Sequence, residues 1–245
     1  MRTLATLLLA LALGGCGFGA GDEAGEATIA VTRDFGATAM GDPQTETVRE
    51  DDTVMRALER ARDVETAFSG AFVQAIDGVK GSHERPWSFY VNGIEATKGA
   101  ADIALRDGDH VWWDQHAWSE DVRTPAVVGA FPQPFRGRAT RLTCETAAPV
   151  CDTVRERLTQ AGAKVTEAAD DAVTVRVGPL PETLGDGTFA RPDGNGLALL
   201  DATGKEQRTL GAGSGLVAAT GAPTTPPTWH VTGTDEAGVA AAADA

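Results

Sequence analysis

Ile29, Val31, Arg33 and Phe35 fall on alternate positions, the period of a strand with one face turned to a core. A loop rich in Gly, Asp and Pro follows from Gly36 to Gln44. The spacing then changes to that of a helix, with Val54, Met55, Leu58 and Ala61 on one face and Asp51 or Asp52 as its cap. Phe72 to Ile76 reads as a strand closed by Asp77-Gly78, and Trp87 to Val91 as another that runs into Asn92-Gly93, a pair suited to a tight hairpin with positive φ. After the turn Asp107-Gly108-Asp109, His110 to Trp118 is a further strand. One helix laid on a mixed sheet makes this half an α+β module.

The apolar pattern restarts after Asp121 to Pro125, so the chain divides into a first domain over residues 28–120 and a second over 126–245. In the second, Arg138 to Thr143 is a strand, and Thr153 with Glu156 has capping-box spacing for a helix carrying Val154, Leu158 and Ala161. Ala163 to Val165 and Ala172 to Val177 read as a strand or hairpin. Gly196 to Ala202, Leu216 to Ala219 and Trp229 to Thr232 read as strands, and Thr234 or Asp235 caps an Ala-rich helix to Ala245. The expectation is a second small α/β domain.

The amino terminus changes the picture. Arg2, the apolar run Leu4 to Leu13 and the small pair Gly14-Gly15 form a signal peptide over residues 1–15, too short to span a bilayer. Leu13-Gly14-Gly15-Cys16 resembles a lipobox, which implies a lipid on Cys16 and attachment to the outer face of a cell membrane. Residues 16–27, Gly- and acid-rich, read as a flexible tether. The net charge of −14 argues against nucleic acid and against anionic lipid as a partner of the folded part. Cys144 and Cys151 are expected to form a disulfide in such a compartment.

Trp87 to Gly93 (WSFYVNG), Gly99-Ala100 and Leu105 to Trp113 (LRDGDHVWW), with the helix Thr53 to Arg62 and Phe72 to Gly81, together resemble the family DUF4430. That family is similar to the C-terminal β-domain of transcobalamin and intrinsic factor. The resemblance covers Thr28 to Trp118 and implies a β-grasp-like fold, with a corrinoid as a possible ligand. Within it Trp87, Asn92, Gly93, Asp107, Gly108 and Asp109 are read as scaffold. Calcium is the other reading of the two Asp, but the loop has too few ligands.

Alternation along the last strand puts Val111, Trp113 and Ala117 on one face and His110, Trp112, Asp114, His116 and Trp118 on the other, to which Tyr90 adds an aromatic. This second face is the candidate contact for a ligand or partner, unless the second domain covers it. Neighbours on it stand about 7 Å apart by strand rise, so a metal ion would meet at most a pair of them. No nucleophile elbow, His-Glu-x-x-His or phosphate loop occurs, and the glycines of GAGSG (Gly211 to Gly215) lack a dinucleotide fingerprint. The expected role is a non-catalytic extracytoplasmic binding protein, taking a small ligand for an importer or meeting another envelope protein.

Overall fold

The computed structural model describes residues 22–68, 70, 72–117, 124–167, 169, 172–185, 187–221 and 226–245. Cys16 and Trp118 lie outside these residues, as does the signal peptide. No helix among the described residues is long and apolar enough to cross a membrane.

The first half contains β1 (Glu23–Arg33), β2 (Thr38–Ala39), β3 (Gln44–Arg49), α1 (Val54–Ala61), β4 (Val64–Ala67), β5 (Phe72–Ile76), β6 (Val79–Lys80), β7 (Trp87–Val91), β8 (Ile94–Glu95) and β9 (His110–Gln115). The main sheet has the order β2-β1-β9-β7-β8, with β3 also on β1, while β4, β5 and β6 form a small separate sheet. β1 and β9 run parallel at the centre and the hairpins β1-β3 and β7-β8 flank them. With α1 between the hairpins, this is the β-grasp-like arrangement that the resemblance implies.

Ile29, Val31, Val111 and Trp113 point from one face of this sheet onto Val54, Met55 and Leu58 of α1. At about 25 cal/mol per Å² of apolar area, this packing rather than helix propensity holds an eight-residue helix in place. The cap of α1 is Thr53, whose hydroxyl accepts from the Arg56 amide at 3.3 Å, and not Asp51 or Asp52. Asp52 instead accepts from the Arg49 amide at 2.9 Å and from two N–H groups of Arg60 at 2.9 and 2.8 Å.

The tether expected over residues 16–27 ends earlier than its composition suggests. Glu23 to Ala27 are the first part of β1, paired with Glu46 to Arg49. A strand needs little apolar area when its neighbour satisfies its backbone, and Ala27 alone of these residues reaches the core. β3 itself lies in what reads as polar sequence, with Val48 as its buried residue.

The second half contains β10 (Ala139–Cys144), α2 (Ala148–Gln160), β11 (Lys164–Thr166), β12 (Val173–Pro179), β13 (Ala190–Asp193), β14 (Gly196–Leu200), β15 (Glu206–Leu210), β16 (Gly215–Thr220), β17 (Thr228–Gly233) and α3 (Glu236–Asp244). Its sheet has the order β11-β10-β12-β17-β16, parallel except at β16, and β13 to β15 form a small antiparallel sheet. Val173, Val175 and Val177 bury one face beneath α2 and α3. β11 and β12 both run parallel to β10, so they do not form a hairpin with each other.

Thr153 does not cap α2. The helix begins at Ala148 with proline in its first turn, and the Thr153 hydroxyl donates to the Pro149 carbonyl at 3.1 Å. Cys151 therefore sits on α2, where it forms the expected disulfide with Cys144 at the end of β10, the Cα atoms 6.0 Å apart. At α3 Asp235 is the cap, accepting from the Gly238 amide at 2.8 Å.

The connection from residue 124 ties the halves together. The Glu95 amide donates to Pro125 at 3.0 Å and the Val127 amide to Gly93 at 2.7 Å. Gly93 has φ +77°, and a Cβ there would stand 2.8 Å from that of Ala130, so the hairpin turn and this close approach both require glycine. Ala126 is part of the second core, and Ile94 of β8 packs against it.

Candidate functional site

The outer face of the first sheet is built by register. Tyr90 stands opposite Trp112, Ala30 beside Trp112 and Thr32 beside Asp114. Tyr90 and Trp112 face each other with ring centroids 4.9 Å apart. Tyr90 is 1% exposed, so it supports the indole from below and offers no free ring to a ligand.

A polar chain fixes the indole. Trp112 Nε1 donates to Thr32 Oγ1 at 2.7 Å, and that hydroxyl donates to Asp114 Oδ2. Asp114 also accepts from the amides of Phe35 at 2.9 Å and Gly36 at 3.0 Å, and His116 Nδ1 lies 2.8 Å from Oδ1. Burial pushes the Asp114 carboxyl up, but hydrogen bonds from His116, Thr32 and the two amides together outweigh it and hold its pKa below the usual carboxylate value. Asp114 and His116 are both buried, and their bonds go to holding a turn and not to solvent.

That turn carries Phe35, which sequence reading places only as the end of the first strand. Its ring stacks on His116 at 4.1 Å between centroids and meets Phe189 edge-on at 4.9 Å. Phe35, Trp112, Val127, Phe189, Leu199 and Ala218 help line an apolar cavity of about 480 Å³ between the two halves. On the other side of Trp112 a second cavity, of about 390 Å³, includes His110, Phe131, Gln133 and Arg136. Trp112 is thus the wall between them.

Of the residues named from sequence, the structure brings together Tyr90, Trp112, Asp114 and His116, and leaves His110 exposed at the far end of β9. Phe189 and Val127 carried no sequence signal, since both lie in irregular segments. Among the described residues no group of three His, Cys, Asp or Glu is placed to hold a metal ion. The scaffold set acts as backbone support. Asn92 donates to Asp109 Oδ1 at 2.7 Å and accepts from the His110 amide at 2.9 Å. Asp107 accepts from the Glu26 amide at 2.9 Å, Gly108 has φ +77°, and Trp87 Nε1 donates to Val79 at 3.1 Å.

Solved structures similar to part of the chain include the following two. One is a Ruminococcus gnavus protein whose name proposes metal binding, at 15% identity and TM-score 0.30, covering 39% of this chain and 99% of that one. The other is haptocorrin in complex with Cbi, at 14% identity and TM-score 0.28, covering 39% of this chain and 26% of haptocorrin, so the match spans about a quarter of that protein. Nothing among curated proteins matches. The stretch from the α1 cap region through β9, residues 51–117, matches the model of DUF4430, a domain of unknown function.

Proposed function

We propose that this chain is a non-catalytic binding protein that takes a small, flat, largely apolar ligand into the cleft between its two halves. The observation that carries this is the cavity of about 480 Å³ walled by Trp112 and Phe35, a size and lining suited to a small molecule. Trp112 is held by Thr32 and backed by Tyr90, so its face is positioned before anything binds. The alternative, a protein docking on this aromatic face, has less support, because Tyr90, Asp114 and His116 are covered. A carboxylate beside a histidine can serve catalysis, but Asp114 and His116 are bonded into the turn, and no catalytic role is assigned to them.

The same proposal places the protein outside the cytoplasm, lipid-anchored through Cys16 and delivering its ligand to a membrane importer. The Leu-Gly-Gly-Cys segment supports the anchor, and the Cys144–Cys151 disulfide fits an oxidising compartment. A corrinoid, of which only one edge or face would enter a cavity of this size, is the first compound class to test. Titration with cobinamide and with cyanocobalamin, followed by tryptophan fluorescence and calorimetry, is expected to give saturable binding that Trp112→Ala weakens about tenfold or more. Absence of binding by both removes the corrinoid. If, in addition, native mass spectrometry of protein from its own host finds no small molecule, the ligand-cleft reading falls.

A further inference from the structure

We infer that the core of the second half holds a separate site for an amphiphile with one apolar chain and a carboxylate head. A cavity of about 380 Å³ lies between the inner face of the parallel sheet and the helices α2 and α3. Phe135, Leu158, Trp229 and Ala243 line it, each no more than 5% exposed, so its floor lies in the packed core. Phe131 also lines it and is 54% exposed, which carries the apolar lining out to solvent. Interiors normally close such spaces, because side chains pack to crystal-like density.

Arg157 is the one charged side chain among the described lining residues. Its guanidinium donates to the main-chain carbonyl of Asp244 at 2.7 Å, next to Ala245, which also lines the cavity. In a chain of net charge −14, a cation at the rim of an apolar cavity complements an anionic head above a buried tail. At the ~30 Å³ that a water molecule occupies in the liquid, a size close to a methylene, the space takes roughly a dozen such groups. That matches a medium-length fatty acid. This cavity shares Val128 and Val217 with the cleft and Gly129 and Phe131 with the second cavity, so it adjoins both, but Trp112 itself is not part of its lining.

The test uses the full chain carrying Cys16→Ser, with dodecanoate and dodecanol as probes in calorimetry. Dodecanoate is expected to bind saturably at one site. Arg157→Gln, a change at an exposed position, weakens dodecanoate about tenfold and leaves dodecanol unchanged. Ala243→Leu fills the cavity and removes binding of both, with circular dichroism checking its fold. Trp112→Ala leaves dodecanoate affinity unchanged, which separates this site from the cleft. No saturable dodecanoate binding, or binding that Arg157→Gln leaves unchanged, overturns the proposal.

Discussion

The ring of Phe35 lies flat on the imidazole of His116, with centroids 4.1 Å apart and planes 24° from parallel. Phe35 does this from φ +58°, between Asp34 at +57° and Gly36 at +84°. An aromatic residue in the left-handed region is uncommon and costs roughly 1 kcal/mol or more. The turn persists because Asp114 accepts the amides of Phe35 and Gly36. Local strain is thus held by a buried carboxylate at the edge of the cleft.

Replacing Phe35 separates the strain from the packing. Phe35→Ala loses the contacts to His116 and Phe189 and keeps the positive φ, so it should destabilise by roughly 2–4 kcal/mol. Phe35→Gly loses the same contacts and relieves the backbone. It should be more stable than the alanine variant by about 1 kcal/mol in urea unfolding. Equal stability of the two would show that the turn is unstrained.

Asp114 makes stability depend on pH. Its folded pKa lies below the ordinary value, so its contribution is present in full above the unfolded value of about 3.9 and is lost as pH falls through the folded value. Asp52, lowered in the same direction, adds to this acid loss; burial raises it, but Arg60 and the Arg49 amide outweigh that. Asp114→Asn should cost roughly 2–4 kcal/mol at neutral pH, since hydrogen bonds to a charged group contribute roughly 1.5–3 kcal/mol each. Its stability should also fall less steeply below pH 4 than that of the wild type. A parallel acid profile would count against this role of Asp114.

These residues mark what sequence reading reaches. Alternation sorts Val111 and Trp113 from Trp112 and Asp114 correctly, because the period of a strand is a local property. Asn92-Gly93 and Asp77-Gly78 are legible for a similar reason: all four have positive φ, which few residue types accept. What covers Trp112 is not local. Phe35, Val127 and Phe189 come from three distant segments, and no period links them. The polar strands β3 and β15 escape notice because pairing, not apolar alternation, makes them strands.

The disulfide should contribute to stability although its loop is short. Cys144 and Cys151 are 7 positions apart, and closing so small a loop removes chain entropy equivalent to about 2.5 kcal/mol. Cys144→Ser is expected to lower stability by about 2 kcal/mol. Thiol labelling of Cys144 and Cys151 in the unfolded wild type, located by peptide mapping to set Cys16 aside, should occur only after reduction. Labelling of these two cysteines without reduction in protein from its own host would mean that the pair is not oxidised there, and would weaken the extracytoplasmic placement.

Gly93 offers a test of how the connecting segment is held. Any side chain there meets two costs, a φ of +77° and a Cβ 2.8 Å from that of Ala130. Gly93→Ala should therefore destabilise by roughly 2–4 kcal/mol, about half from the backbone and half from the clash. Adding Ala130→Gly removes the clash and leaves the strained φ, so the double variant should recover about 1–2 kcal/mol. Because the Val127 amide donates to the Gly93 carbonyl, and Val127 lines the cavities on both sides of Trp112, the single variant should also weaken ligand binding in the cleft. Recovery of stability without recovery of binding would place the binding effect in the turn itself. No recovery of stability would mean that Ala130 yields freely, and that the close approach does not fix the segment.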